Sequence, residues 1–164
     1  MHGIGSVERA AEIYEWVSSS RVRYSLPRRV LSERAPEGWR FVGQGSFRSV
    51  WLSPEGVAYK IEHNADYTAQ GEREIENLEA AWSEGAPPEG CRLPKFHSYR
   101  IDNELVIAVE MISGKTLYEY EGPQRDDLYN RLNDCETKYR LRDLHDENAV
   151  VDEDGILVPV DWGI

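Results

Sequence analysis

Residues 141–163 read LRDLHDENAVVDEDGILVPVDWG, and the fold turns on how this stretch is punctuated. Asp143 and Asn148 stand five apart in a polar turn. An apolar run follows (Ala149, Val150, Val151), then an Asp/Gly turn over 152–155, then a second apolar run over 156–160. Two β-branched runs around such a turn predict a hairpin. A hairpin returns the chain to its starting end, so Asp161, Trp162 and Gly163 arrive near Asn148. Asp143, Asn148 and Asp161 are therefore predicted to converge. An amide and a carboxylate suit a hard cation such as Mg²⁺, and a second carboxylate beside them can serve as a base.

Composition bounds what this turn can belong to. The 164 residues suit one domain of ordinary size, and 40% are hydrophobic, with five Trp, enough for a core. The net charge of −11 argues against a nucleic-acid-binding surface. That charge is uneven: residues 1–48 hold eight Arg against five Glu, a balance of +3, which leaves −14 on the remainder. The basic part is expected to pack on the acidic remainder or to face an acidic partner. Cys91 and Cys135 form no paired motif, so neither a disulfide scaffold nor a zinc site is expected. No apolar run reaches the ~18 residues of a membrane span, and the N-terminus has no signal-peptide core. A cytoplasmic protein without a membrane partner is the expectation.

The 141–163 stretch resembles the catalytic loop and metal-binding turn of protein kinases, H-R-D-L-x-x-x-N followed by D-F-G. Arg142, Asp143, Leu144 and Asn148 match, as do Asp161 and Gly163, with Trp162 for Phe. Leu141 replaces the leading His. His145 stands where protein kinases usually carry Lys and is similar to the D-L-H-x-x-N pattern of small-molecule phosphotransferases such as the aminoglycoside kinases.

Earlier segments extend the resemblance in the same order. Residues 39–50, WRFVGQGSFRSV, read as strand, glycine turn and strand, where glycines let backbone N–H groups approach an anion. They resemble G-x-G-x-x-G-x-V, the phosphate-covering loop, with Gly43, Gly45 and Val50 in place and Arg48 at the third glycine. Gln44 and Ser46 belong to the same turn. Val57, Ala58, Tyr59, Lys60 and Ile61 resemble V-A-I-K, fifteen positions beyond Gly45 counted to Lys60. Strand alternation predicts Ala58 and Lys60 on one face. A helix over 72–83 contains Arg73-Glu74-Ile75, which resembles R-E-I, whose Glu pairs with the strand lysine. That role falls to Glu74, with Glu72 and Glu76 as rivals that only helix phase separates. Leu105 to Ile112, LVIAVEMI, resembles the fifth strand and hinge. By that match the Glu110 carbonyl and Ile112 N–H meet the adenine edge, and Val109 guards the back of the pocket.

The remaining segments read as follows. A helix over 6–18 presents Val7, Ala10, Ala11, Tyr14 and Val17 on one face. A connector with a short helix over 28–34 follows. Residues 63–71 read as loop, 93–101 as a β segment, Asp102-Asn103 as a turn and 116–120 as a short helix. A helix over 124–139 carries Leu128, Leu132, Cys135 and Tyr139 on one face. The resemblance implies an α+β, kinase-like fold: an N-terminal helical extension over 1–38, then a five-stranded antiparallel small lobe with one helix over 39–112. A hinge leads to a much reduced helical large lobe over 113–164 with the catalytic and metal loops. Nothing in the sequence corresponds to the activation loop or later helices, and a minimal protein and a piece of a longer one are both compatible with that. The N-terminal helix is expected to support the catalytic loop from below.

The implied activity is ATP-dependent phosphotransfer to a hydroxyl of an unknown protein or small-molecule acceptor. Asp143 is the base, Lys60 held by Glu74 meets the α/β-phosphates, and Asn148 and Asp161 hold Mg²⁺. The nucleotide would lie against Gly43, Gln44, Gly45, Ser46, Val50, Ala58, Lys60, Glu110, Ile112 and Asn148. The alternative is a non-catalytic pseudokinase, a nucleotide-binding or protein-interaction module.

Overall fold

The computed structural model describes residues 2–19, 26–44, 48–62, 69–141 and 144–162. The protein is α+β: among the described residues it has four α-helices, a five-stranded antiparallel sheet and a smaller three-stranded sheet. The chain divides into two units. One comprises Met1–Gly71 with Lys95–Met111, the other Glu72–Pro94 with Ile112–Ile164.

The first unit is built on strands β1 (Arg40–Gln44), β2 (Arg48–Leu52), β3 (Val57–Glu62), β4 (Phe96–Ile101) and β5 (Glu104–Glu110), in the order β1-β2-β3-β5-β4. Turn chemistry sets the register. Asp102 and Asn103 both take positive φ, 51° and 67°, the requirement of a tight two-residue hairpin, and they join β4 to β5 with Ile101 opposite Glu104. Ser53 accepts from Gly56 and Val57 at the β2–β3 turn, where Gly56 has φ 84°.

Alternation gives the sheet two different faces. Phe41, Trp51, Tyr59, Ile61, Val106 and Ala108 form one buried cluster with Ala10 and Ile13 of helix α1 (Val7–Ser19) and Leu31 of helix α2 (Arg28–Arg34). Ala58 and Lys60 alternate with Tyr59 and Ile61, so they belong to the opposite face, as the sequence predicts. Ser6 caps α1, its Oγ accepting from Arg9 N at 3.1 Å. Arg9 then holds the β2–β3 turn with a two-pronged pair to Glu55, 2.8 and 2.9 Å. That guanidinium holds the Glu55 carboxyl below its ordinary range. The chain enters α1 over Tyr59, whose hydroxyl accepts from Ser6 N at 3.1 Å. Gly5 has φ 77°, and a Cβ there would lie 2.7 Å from that hydroxyl, so this crossing needs glycine.

The expectation that α1 supports the catalytic loop is thereby corrected. An apolar sheet face spanning β1, β2, β3 and β5 needs cover, and α1 supplies it within its own unit. The helix phase is corrected too: Ile13 is fully buried, while Val7 is 50% exposed.

The second unit contains helices α3 (Ala69–Ser83, from Glu72 onward) and α4 (Arg125–Tyr139). Its sheet joins β6 (Gly114–Thr116), β7 (Ala149–Asp152) and β8 (Leu157–Pro159) in that order. Leu128, Leu132 and Cys135 are buried along α4 as expected, and Leu141 is buried just beyond it. Two local expectations fail. Residues 69–71, read as loop, begin α3, because the Glu62 carboxylate accepts from Gly71 N at 2.8 Å and satisfies a first-turn donor. Where a short helix was expected at 116–120, the chain forms β6 and a turn. Gly114 allows this: a Cβ there would sit 2.0 Å from the Val151 carbonyl. No described helix is long and apolar enough to cross a membrane.

Candidate functional site

The predicted hairpin forms, and its register decides which residues meet. Ala149 pairs with Pro159 and Val151 with Leu157, and Val160 N donates to the Asn148 carbonyl at 2.9 Å. Asn148 and Asp161 therefore stand at the same end of the β7–β8 hairpin, thirteen positions apart in sequence. The far end is tightened by Asp152. Its Oδ1 accepts from Asp154 N and Ile156 N, both at 2.9 Å, and its Oδ2 accepts from Arg92 Nε at 3.1 Å. Burial works against the Asp152 carboxylate, but these donors outweigh it and hold the group below the ordinary carboxylate range.

Two anchors fix the near end. Residues Asp146–Asn148 form a single 3₁₀ turn in which Asn148 N donates to His145 O at 2.9 Å. Tyr129 of α4 donates its hydroxyl to Asp146 Oδ2 at 2.6 Å, and Tyr118 N donates to Asp146 O at 3.2 Å. On the other strand, Asn77 of α3 donates its amide to the Trp162 carbonyl at 2.7 Å. The Trp162 indole is 1% exposed, donates to Pro159 O at 2.9 Å and meets the Tyr139 ring edge-on at 5.5 Å. Asp161 thus sits between a residue whose strand is paired and one whose carbonyl and ring are both held. Burial raises the Tyr139 hydroxyl to about 12.

The other predicted residues distribute as follows. Lys60 lies on β3 between Val50 of β2 and Ile107 of β5, half-buried, with Ala58 buried on the same face. Gly43 and Gln44 close β1, paired with Val50 and Ser49. Arg48, at the third glycine position, is buried. Glu110 ends β5; its N–H donates to Lys95 O at 2.9 Å, and its carboxylate accepts from Lys95 N at 3.1 Å. Ile112 follows β5 and is buried in the second unit. Of the three rival glutamates, Glu74 is fully buried, Glu72 half-buried and Glu76 exposed. A fully buried carboxylate needs a partner or a proton, whereas an exposed one needs neither. Lys60 and Glu74 belong to different units. Gly45, Ser46 and Asp143 lie outside the described residues.

The oxygen donors of Asn148 and Asp161 fit Mg²⁺ by chemical type, since this cation takes few protein oxygens and completes its shell with water and phosphate. Among the described residues there is no cluster of three or more His, Cys, Asp or Glu able to hold a metal alone. Asn77, Tyr129 and Arg92 escape sequence reading. Each is a polar residue among other polar residues, and its partner is remote in sequence.

No protein-family model matches the chain, and no curated protein matches it. Solved structures do: 673 chains match. One of them, "PpkA-294 apo form", a kinase fragment, aligns over 86% of this chain at 17% identity and a TM-score of 0.50. This chain spans 62% of that one. At such identity the likeness concerns the fold alone, and that fold is kinase-like.

Proposed function

We propose that the protein is an ATP-dependent phosphotransferase of the kinase-like type. The observation that carries this reading is the β7–β8 register, with Val160 N on Asn148 O at 2.9 Å, which sets an amide and the Asp161 carboxylate at one hairpin end. The kinase-like fold supports it, because that fold needs such an end for its metal turn. In this reading Asn148 and Asp161 hold Mg²⁺, which when bound neutralises phosphate charge. Lys60 orients the α/β-phosphates and is itself steadied by Glu74. Gly43, Gln44, Gly45 and Ser46 cover the phosphates with backbone N–H groups, Val50 and Ala58 line the purine pocket, and the backbone at Glu110 and Ile112 meets its edge. Asp143 orients the acceptor hydroxyl and takes its proton. Phosphoryl transfer relies on positioning and charge neutralisation more than on covalent chemistry, so a small scaffold suffices in principle.

One observation favours the pseudokinase reading instead. Arg48 fills the third glycine position and is 8% exposed, so that side of the phosphate-covering turn carries a buried guanidinium in place of an open backbone.

Thermal unfolding with and without millimolar Mg-ATP separates binding from its absence. A ligand at 100 times its dissociation constant adds about 2.7 kcal/mol. The expected result is a stabilisation that Lys60→Met and Asp161→Asn each diminish. No shift in the parent protein sinks nucleotide binding.

A further inference from the structure

We propose that Cys91 and Cys135 are a dithiol that a hydroperoxide closes, reversibly, into a disulfide, fastening α4 to the segment that runs beside β8. Both belong to the second unit, and neither has a role in the phosphotransfer reading. They stand 44 positions apart in sequence without a paired motif, and the fold removes that separation.

Geometry is the first argument. The two thiols hydrogen-bond to each other. In its thiol form Cys91 also donates to the Arg131 carbonyl at 3.8 Å, one helical turn before Cys135. The meeting is held from both sides. Leu157 N donates to Gly90 O and Arg92 N to Leu157 O, both at 3.0 Å, which fixes Cys91 against β8. On α4, Arg131, Cys135 and Lys138 share a face. Arg131 donates to Gly90 O at 3.4 Å and Lys138 to Ala86 O, so the same helix face that carries one sulfur straps down the segment that carries the other. A disulfide draws its sulfurs to ~2.05 Å, and contacting thiols on pinned backbones start close to that bond.

The second argument is that the two sulfurs are unlike. The hydrogen bond from Cys135 holds the Cys91 thiol below its ordinary range, against burial, and the Arg131 guanidinium adds to this. That guanidinium lies over Gly90, where a Cβ would sit 2.5 Å from its Cζ. The same hydrogen bond, together with burial, pushes the Cys135 thiol up. Cys91 also has the path to solvent, 8% exposed against 0% for Cys135. Cys91 is therefore the nucleophile and Cys135 the resolving thiol. The Cys91 thiolate attacks one peroxide oxygen; an S–O bond forms, the O–O bond breaks and hydroxide leaves. Cys135 sulfur then displaces the sulfenic oxygen, its proton leaving with that oxygen as water. Two thiols are oxidised and one peroxide is reduced to two waters. An external thiol reverses the closure by exchange.

The test treats the full chain with hydrogen peroxide and follows intact mass, thiol count and the cross-linked peptide. The expected product is a monomer that has lost two hydrogens and both titratable thiols, with Cys91 joined to Cys135, and that dithiothreitol restores. Dimedone should trap a sulfenic acid at Cys91 in Cys135→Ala and none at Cys135 in Cys91→Ser. A second measurement needs no variant: in a glutathione redox buffer the folded chain should form the disulfide at least about tenfold more readily than the same chain in urea. A tenfold ratio raises the melting temperature of the oxidised chain by about 3–6 °C. Thiols that stay free, sulfinic acid at Cys91 without the cross-link, or cross-links between chains overturn the proposal. So do a dimedone adduct at Cys135 and a folded-to-urea ratio below tenfold.

Discussion

Ile13→Ala tests whether α1 is seated on the five-stranded sheet by the face the structure identifies. Ile13 is fully buried and sits in the cluster that contains Leu31, Trp51, Tyr59 and Ala108. Removing its outer methyls forfeits the transfer free energy of three carbons and leaves a cavity between a helix and a sheet that are both pinned. Such changes cost about 2–5 kcal/mol, and rings on the sheet side cannot easily collapse inward, so a value near ~3 kcal/mol is expected. For a chain of this size that lowers the melting temperature by roughly 6–12 °C. Val7→Ala on the same helix is the control: Val7 is 50% exposed, and its truncation should cost below ~0.5 kcal/mol. Near-ultraviolet circular dichroism is the assay, because the Trp16–Trp51 pair at 5.2 Å and the Trp39–Tyr59 pair at 5.3 Å report on this unit. Equal costs for the two substitutions, or no cost for Ile13→Ala, would refute the seating.

Further outcomes follow from the second unit. Asp152→Ala should cost about 1–3 kcal/mol at neutral pH by removing the acceptor of two backbone donors and of Arg92 Nε. Because the folded Asp152 carboxyl lies below its unfolded value, its contribution is present above the unfolded value and lost as pH falls through the folded one. The difference between parent and variant in urea unfolding should therefore shrink on acidification below about pH 4. Tyr139 shows the opposite sense: its folded value near 12 exceeds the unfolded ~10, so stability should fall between those limits as pH rises. Its hydroxyl has no hydrogen-bond partner among the described residues, so Tyr139→Phe should be neutral or slightly stabilising, and a loss above ~1 kcal/mol in thermal unfolding would count against this. Asn77→Ala should cost ~1 kcal/mol and weaken Mg-ATP stabilisation, since it frees the Trp162 carbonyl beside Asp161; unchanged Mg-ATP stabilisation would leave the tether a purely structural one.

What the sequence disclosed was what local chemistry decides. Asp102-Asn103 and the 152–155 turn impose their geometry within a few residues, and both hairpins were legible from them. The hairpin register then brought Asn148 to Asp161. Positions set by packing were less legible. Val7 and Ile13 are both apolar but lie about a third of a turn apart around the helix, and only the sheet beneath decides which is covered. Glu72, Glu74 and Glu76 are indistinguishable until the helix is docked, whereupon only Glu74 is buried. Strand β6 was missed because Gly114-Lys115-Thr116 has little strand character of its own and pairs only because β7 offers an edge. Asp143 reads as the base from its place in the 143–148 turn together with the resemblance, and it lies outside the described residues.

The central claim is phosphoryl transfer from ATP, and following γ-labelled ATP with Mg²⁺ tests it directly, tracking both loss of nucleotide and label on protein or added hydroxyl acceptors. The account predicts transfer by the parent protein and none by Asp143→Asn, while Asp143→Asn still gains stability from Mg-ATP, because a base acts in the transfer step and not in ground-state binding. Transfer that persists in Asp143→Asn, or its absence from the parent toward itself, metabolites and proteins alike, would contradict the account.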